Sequence, residues 1–191
     1  MVAALCGVLL GVYAFELGLS LRRGPAELES FLHAWGLVPR EFLSGRWFTP
    51  VTALFLHAGP VHVGANVAFL AFFGRDLEAL LGGRRLLVLF FGSAGVAALL
   101  HVATAPASFV TTLGASGAVA GLLGAWWRLR GHRGGPVGGL AGLALLVLWL
   151  LAQLAAAATA GGGVAGWAHL GGFAAGWLAA PQLVAVKPRT D

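Results

Sequence analysis

Cysteine is almost missing from this chain of 191 residues: Cys6 is the only one. No intramolecular disulfide can form, and no cysteine-based metal site is possible. Charge is scarce as well. Asp, Glu, Lys and Arg make up 10% of the residues, against about a quarter in a soluble domain. Apolar residues make up 59%, too many for an ordinary core. These deficits exclude a disulfide scaffold and argue against a water-soluble globule. They point to a protein of the lipid bilayer.

Three further absences narrow the class. The net charge is +5, yet no basic face with interleaved aromatics exists; the charges sit in short clusters between long apolar runs. Nucleic acid is therefore not an expected partner. The first 21 residues lack a basic leading segment, and Glu16 interrupts their apolar stretch. They read as a retained first span rather than a secretion signal. The apolar runs also lack the alternation of barrel strands. Backbone groups in hydrocarbon must pair within their own segment, so the runs are expected to be helices.

A membrane span needs roughly 20 mostly apolar residues. Six stretches qualify: 2–21, 61–81, 86–105, 112–127, 137–157 and 164–186. The expected fold is an all-α membrane bundle of six spans in one domain, with a long first loop over residues 22–60. The polar part of that loop, with Glu27, Glu29 and Glu41, predicts short helices. If the N-terminus is cytoplasmic, the inner connections hold Arg75, Arg84, Arg85, Arg128, Arg130, Arg133, Lys187 and Arg189. The outer side holds only Arg22, Arg23, Arg40 and Arg46, and the outer loops at 106–111 and 158–163 are uncharged. Excess Lys and Arg marks the cytoplasmic side, so both termini are expected there.

Glycine is plentiful, at 30 residues. Pairs four apart, such as Gly117/Gly121 and Gly172/Gly176, allow close helix approach in lipid. The fourth span, running Gly-Ala-Ser-Gly-Ala-Val-Ala-Gly from Gly114, is slim enough for the centre of a bundle.

Polar groups inside membrane spans are costly and are functional candidates by default. Four stand out: His62, Asn66, Ser116 and His169. His62 and Asn66 are four apart and share one helix face. With six alternating spans, the starts of spans 2, 4 and 6 lie on the same outer side, so all four residues can meet at one depth. The chemistry such a set permits is nucleophilic attack. A serine hydroxyl needs a neighbouring base, which His169 can be. The tetrahedral oxyanion needs positioned donors, which His62, the Asn66 amide and the Ser116 N–H could supply. No carboxylate lies at that depth to orient His169: Glu16 is mid-span, and Asp76 and Glu78 are at the inner end of span 2. A Ser–His dyad is expected, with no metal and no cofactor.

The sequence resembles the rhomboid intramembrane proteases. Gly114-Ala115-Ser116-Gly117 is similar to that family's G-x-S-G nucleophile motif. His57, His62 and Asn66 match the span-2 motif in spacing, and Gly74 with Glu78 resembles its G-x-x-x-E. Ala168-His169-x-x-Gly172-x-x-x-Gly176 resembles the A-H-x-x-G-x-x-x-G of the last span. The resemblance covers about residues 46–180. It implies a six-helix bundle with cytoplasmic ends that cleaves transmembrane segments of membrane proteins in the bilayer. It assigns Ser116 as nucleophile, His169 as base, and His62 and Asn66 as oxyanion stabilisers. Gly114, Gly117, Glu78, Gly172 and Gly176 would be structural support. Lateral substrate access would lie near spans 2 and 5.

Two positions depart from the family's pattern. The family often has Trp-Arg in the first loop, where this chain has Arg46-Trp47. It often has Tyr or Phe four residues after the nucleophile, where this chain has Ala120. Support for the base must then come from elsewhere, Trp167 being the candidate beside it. His57 is expected to bond loop backbone, and His33, His101 and His132 to sit in loops or at boundaries. Glu16 has no assigned role.

Rival functions fit less well. A metal-dependent protease needs His-Glu-x-x-His, and the chain offers only His57-Ala-Gly-Pro-Val-His62. A soluble serine hydrolase needs G-x-S-x-G, and Ala118 stands where its second glycine belongs. Non-catalytic relatives that bind transmembrane helices usually lack the serine or the histidine. A transporter would show paired inverted halves and intramembrane acids. The compact form without a mitochondrial-type leader points to a prokaryotic inner membrane.

Overall fold

A computed structural model describes residues 1–131, 138–158 and 166–184. Among them are nine helices and no strand longer than an isolated bridge. The long first helix, α1, spans Val2–Arg23. Three short helices follow: α2 (Pro25–Trp35), α3 (Pro39–Leu43) and α4 (Thr49–Ala53). Then come α5 (Pro60–Leu81), α6 (Gly83–Thr104), α7 (Ser116–Arg130), α8 (Gly139–Ala158) and α9 (Gly166–Leu183). By length and composition, α1, α6 and the Gly139–Ala156 part of α8 are apolar enough to cross a membrane. The other long helices are compromised by what they carry. α5 holds Arg75, Asp76 and Glu78, α7 has only 15 residues, and glycine, tryptophan and His169 dilute α9.

Local signals explain the boundaries. Proline stands in the first turn of α2, α3, α4 and α5, where its missing N–H costs no helical hydrogen bond. Gly24 and Gly82, at φ +91° and +79°, break the chain between α1 and α2 and between α5 and α6. Both take up backbone that side chains disfavour. The fourth apolar stretch begins later than the composition predicts. Residues 112–115 are not helical, because Leu37 and Thr112 exchange both backbone hydrogen bonds, at 2.9 and 2.8 Å. Gly114, at φ +112°, donates its N–H to the Ala53 carbonyl at 2.8 Å. The chain is thus tied to the α2–α4 segment just before α7 begins at Ser116. The expected ends of spans 5 and 6 at 137, 164 and 185–186 lie outside the described residues. So do the 159–163 part of the second uncharged loop, His132, Arg133, Lys187 and Arg189.

Arg46 has a structural task in this segment. Its guanidinium binds the Glu41 carboxylate and the Ala34 carbonyl and lies over the Phe48 ring. One side chain thereby links α2, α3 and the approach to α4. The buried core runs along α1, α5, α6 and α7, through Leu9, Leu70, Leu77, Leu86, Phe90 and Leu122.

The tightest packing is between α7 and α9. A Cβ placed on Gly172 would collide with the Gly117 carbonyl, and one on Gly176 with the Gly121 carbonyl. One on Gly124 would strike the Phe173 carbonyl. α6 closes the third side, where Gly121 faces Ser93 and Gly117 faces Ala97. The small-residue pairs read from the sequence are therefore backbone contacts. Overpacking of this kind typically costs about 1–3 kcal/mol. Gly176→Ala is expected to lower the thermal midpoint in detergent accordingly. Gly95→Ala, whose Cβ would meet nothing within 4 Å, should leave the midpoint unchanged.

Candidate active site

The starts of α5, α7 and α9 lie at one end of the bundle, and each delivers a polar side chain to a shared cavity of about 230 Å³. Ser116 is the first residue of α7, held there by the ties on Thr112 and Gly114. His169 stands one turn into α9, above the glycine contacts that press α9 against α7. Its Nε2 lies 2.7 Å from the Ser116 Oγ.

The other ring nitrogen identifies the proton positions. His169 Nδ1 lies 2.6 Å from Oε1 of Gln153, on α8. An amide oxygen can only accept, so Nδ1 carries the proton in the neutral ring. Nε2 is then the bare nitrogen and accepts from the Ser116 hydroxyl. This is the tautomer that a base for Ser116 requires. Gln153 was missed in the sequence, although a lone amide late in a leucine-rich span is the kind of polar group that marks a site. It also answers the departure at Ala120, which lines the same cavity without an aromatic ring. Among the described residues no ring stacks on His169. Trp167 is 41% exposed and does not take that place. Trp149 of α8 lines the cavity instead and packs against Phe173.

His62 and Asn66 form the opposite wall. Asn66 is buried, lines the cavity and donates from its amide to the His62 carbonyl at 3.0 Å. The His62 ring covers the backbone just ahead of Ser116. A Cβ on Gly114 would lie 2.7 Å from its Cε1 and Nε2. Gly114 is therefore required twice, for its positive φ and for the ring above it.

The remaining candidates lie elsewhere. Glu78 is sixteen residues along α5 from His62, about 24 Å at 1.5 Å per residue. It accepts from the Met1 amine at 2.5 Å and the Val2 N–H at 3.1 Å, tying α1 to α5. His57 bonds loop backbone, its Nδ1 3.1 Å from the Phe55 carbonyl. Burial, with the His62 ring as a lesser cause, holds His57 down at about 4, so the ring is neutral at ordinary pH. His33 contacts Thr111 and Glu41, and buried His101 meets the Thr112 hydroxyl at 2.7 Å. His101 thus backs the strand-like tie that positions α7.

A second, apolar cavity of about 510 Å³ adjoins the first between α5, α7 and α8. Phe69, Leu123 and Trp149 border both.

Comparison with known proteins agrees with this architecture. The rhomboid domain matches residues 44–185, from the end of α3 past the end of α9. A Bacillus subtilis (strain 168) protein named "Putative rhomboid protease YdcA" is 35% identical over 83 residues. That stretch covers 44% of this chain and 41% of the relative's length. A match over most of the chain, on an all-helical fold with membrane-length apolar helices, shows that this protein is an integral membrane protein of the rhomboid family.

Proposed function

We propose that the chain is an intramembrane serine endopeptidase that cleaves transmembrane segments of membrane proteins through Ser116 and His169. The observation that carries this reading is the 2.7 Å contact between His169 Nε2 and Ser116 Oγ, with His169 Nδ1 occupied by Gln153. In the proposed reaction Ser116 Oγ attacks the scissile carbonyl while His169 Nε2 takes the hydroxyl proton. The oxyanion is met by the Ser116 N–H, free of an intrahelical partner in the first turn of α7, and by His62 and Asn66. His169 then returns the proton to the departing amine. A water, deprotonated by the same ring, hydrolyses the acyl-enzyme and regenerates Ser116.

The substrate reading follows from the surroundings. In this proposal α1, α5, α6, α7, α8 and α9 are the six spans, and residues 24–59 form the outer loop. The site then lies in the outer half of the bilayer, and both termini are cytoplasmic, in a prokaryotic cell membrane. The apolar cavity between α5 and α8 supports access from the lipid, because an apolar helix can lie there against Phe69, Phe72, Trp127 and Trp149. Its unwound end then reaches Ser116.

The decisive measurement uses purified protein in detergent with a model transmembrane substrate. Ser116→Ala and His169→Ala should each abolish cleavage, and a fluorophosphonate probe should label the wild type but not Ser116→Ala. Retained cleavage in either variant sinks the mechanism. Absence of labelling would instead favour a non-catalytic, helix-binding role. Asn66→Ala should lower kcat by roughly 10²–10³, the usual effect of losing one oxyanion donor. Gln153→Leu should lower kcat by about tenfold to a hundredfold, part of the 10²–10⁴ that a positioned base contributes. Its KM should hold, since Gln153 faces His169 rather than the apolar cavity.

A further inference from the structure

Glu16 is 1% exposed in the middle of α1, a position where a carboxyl group is costly. The reaction proposed above makes no use of it. Among the described residues its side chain is spent on a single donor: the backbone N–H of His57 lies 3.2 and 3.4 Å from its two oxygens. His57 belongs to the loop between α4 and α5 and is itself buried. Glu16 thus fixes a loop rather than another side chain.

What that loop holds is His62. The Ala58 N–H donates to His62 Nδ1 at 3.4 Å. His62 is the third residue of α5 and reaches back to the N–H of Ala58, one residue before the N-cap Gly59, a variant of the reach an N3 side chain makes in a capping box. The His57 ring meets the His62 ring edge-on, with centroids 5.1 Å apart. A nitrogen that accepts from an N–H carries no proton in the neutral ring. The His62 proton is then on Nε2, the atom that lies over Gly114, in the cavity that Ser116 also lines.

We infer that Glu16 is a positioning residue for the oxyanion side of the site. From α1 it anchors residues 55–58, and these hold His62 in the tautomer that presents Nε2–H to the cavity. The inference rests on the reading of His62 as an oxyanion donor, but its first observable, the His62 tautomer, does not depend on activity. Removing Glu16 frees the His57 N–H, loosens the loop and lets the His62 proton redistribute between its nitrogens.

The test uses the full chain in detergent with histidine isotope-labelled at the ring nitrogens, the His62 signals being assigned by their loss in His62→Ala. The wild type should show the His62 proton on Nε2. Glu16→Leu should show a mixture of tautomers, with kcat lower by about tenfold to a hundredfold. That is the size of effect that outer-shell partners of metal ligands have when removed, and it sets the scale for a partner one step behind a functional group. KM should not change. Glu16→Gln should recover most of kcat and the single tautomer, because its amide oxygen still accepts from the His57 N–H. In a His62→Ala background, Glu16→Leu should cost no further kcat. A wild-type proton on Nδ1 overturns the inference. So does a Gln variant as damaging as the Leu variant, or an undiminished Glu16 effect without His62. If Glu16→Leu does not fold, Glu16→Asp, too short to reach the loop, enters the same comparisons. If the wild type neither cleaves nor takes the probe, the protease reading fails while the tautomer comparison still decides the role of Glu16.

Discussion

The closest glycine-mediated approach among the described helices is the backbone contact of α7 with α9, and the mutual position of Ser116 and His169 depends on it. Gly117, Gly121 and Gly124 on one helix meet Gly172, Phe173 and Gly176 on the other, with carbonyls where side chains would otherwise stand. In lipid there is no water-driven attraction between helices, so association rests on such close van der Waals contact. The consequence for the site is direct. Ser116 precedes Gly117 by one residue, and His169 precedes Gly172 by one turn. The glycines that let the helices touch therefore also set the distance between Oγ and Nε2 at 2.7 Å. A helix pair spaced by ordinary side chains would leave those atoms several ångströms apart.

A short distance alone does not make a base. His169 must present its bare nitrogen to the serine, and a free imidazole would divide its proton between both. Gln153 removes that freedom from α8, a helix otherwise devoted to apolar surface. His62 is treated in the same manner from the loop before α5. Two histidines in one cavity thus carry their protons on opposite nitrogens, each decided by one backbone or amide partner. In the proposed reaction this lets one ring accept a proton while the other donates to an oxygen, with no charged residue among the described residues that line the cavity.

Much of this was legible in the sequence because it is local. Ser116 among glycines, His62 and Asn66 four apart, and His169 ahead of Gly172 follow from periodicity and from the cost of polar groups in a bilayer. The helix limits of α1, α5 and α6 follow from hydrophobic runs broken at Gly24 and Gly82. The start of α7 was not legible, since residues 112–115 are apolar enough for helix. Their bridge to Leu37 joins segments 75 residues apart, which no local pattern reveals. Gln153 escaped for the same reason. Its identity as an amide was visible, but the partner on α9 is set by how α8 packs. Glu16 was visible as an anomaly in α1, and its partner, a backbone N–H, leaves no trace in residue type.

The electrostatic setting follows from where the helices begin. α5, α7 and α9 all start at this cavity, so the positive ends of three helix dipoles converge on it. The first-turn N–H of Ser116, without a partner among the described residues, adds a donor in the same place. Such a site favours negative charge, as develops on a carbonyl oxygen under attack, and disfavours a positive ring. A carboxylate behind His169 would counter that effect by supporting imidazolium. Gln153 is neutral and only orients. In the proposed reaction most stabilisation therefore falls on the oxyanion rather than on the protonated base. The geometry of His62 and Asn66, and of whatever holds them, then matters as much as that of the base itself.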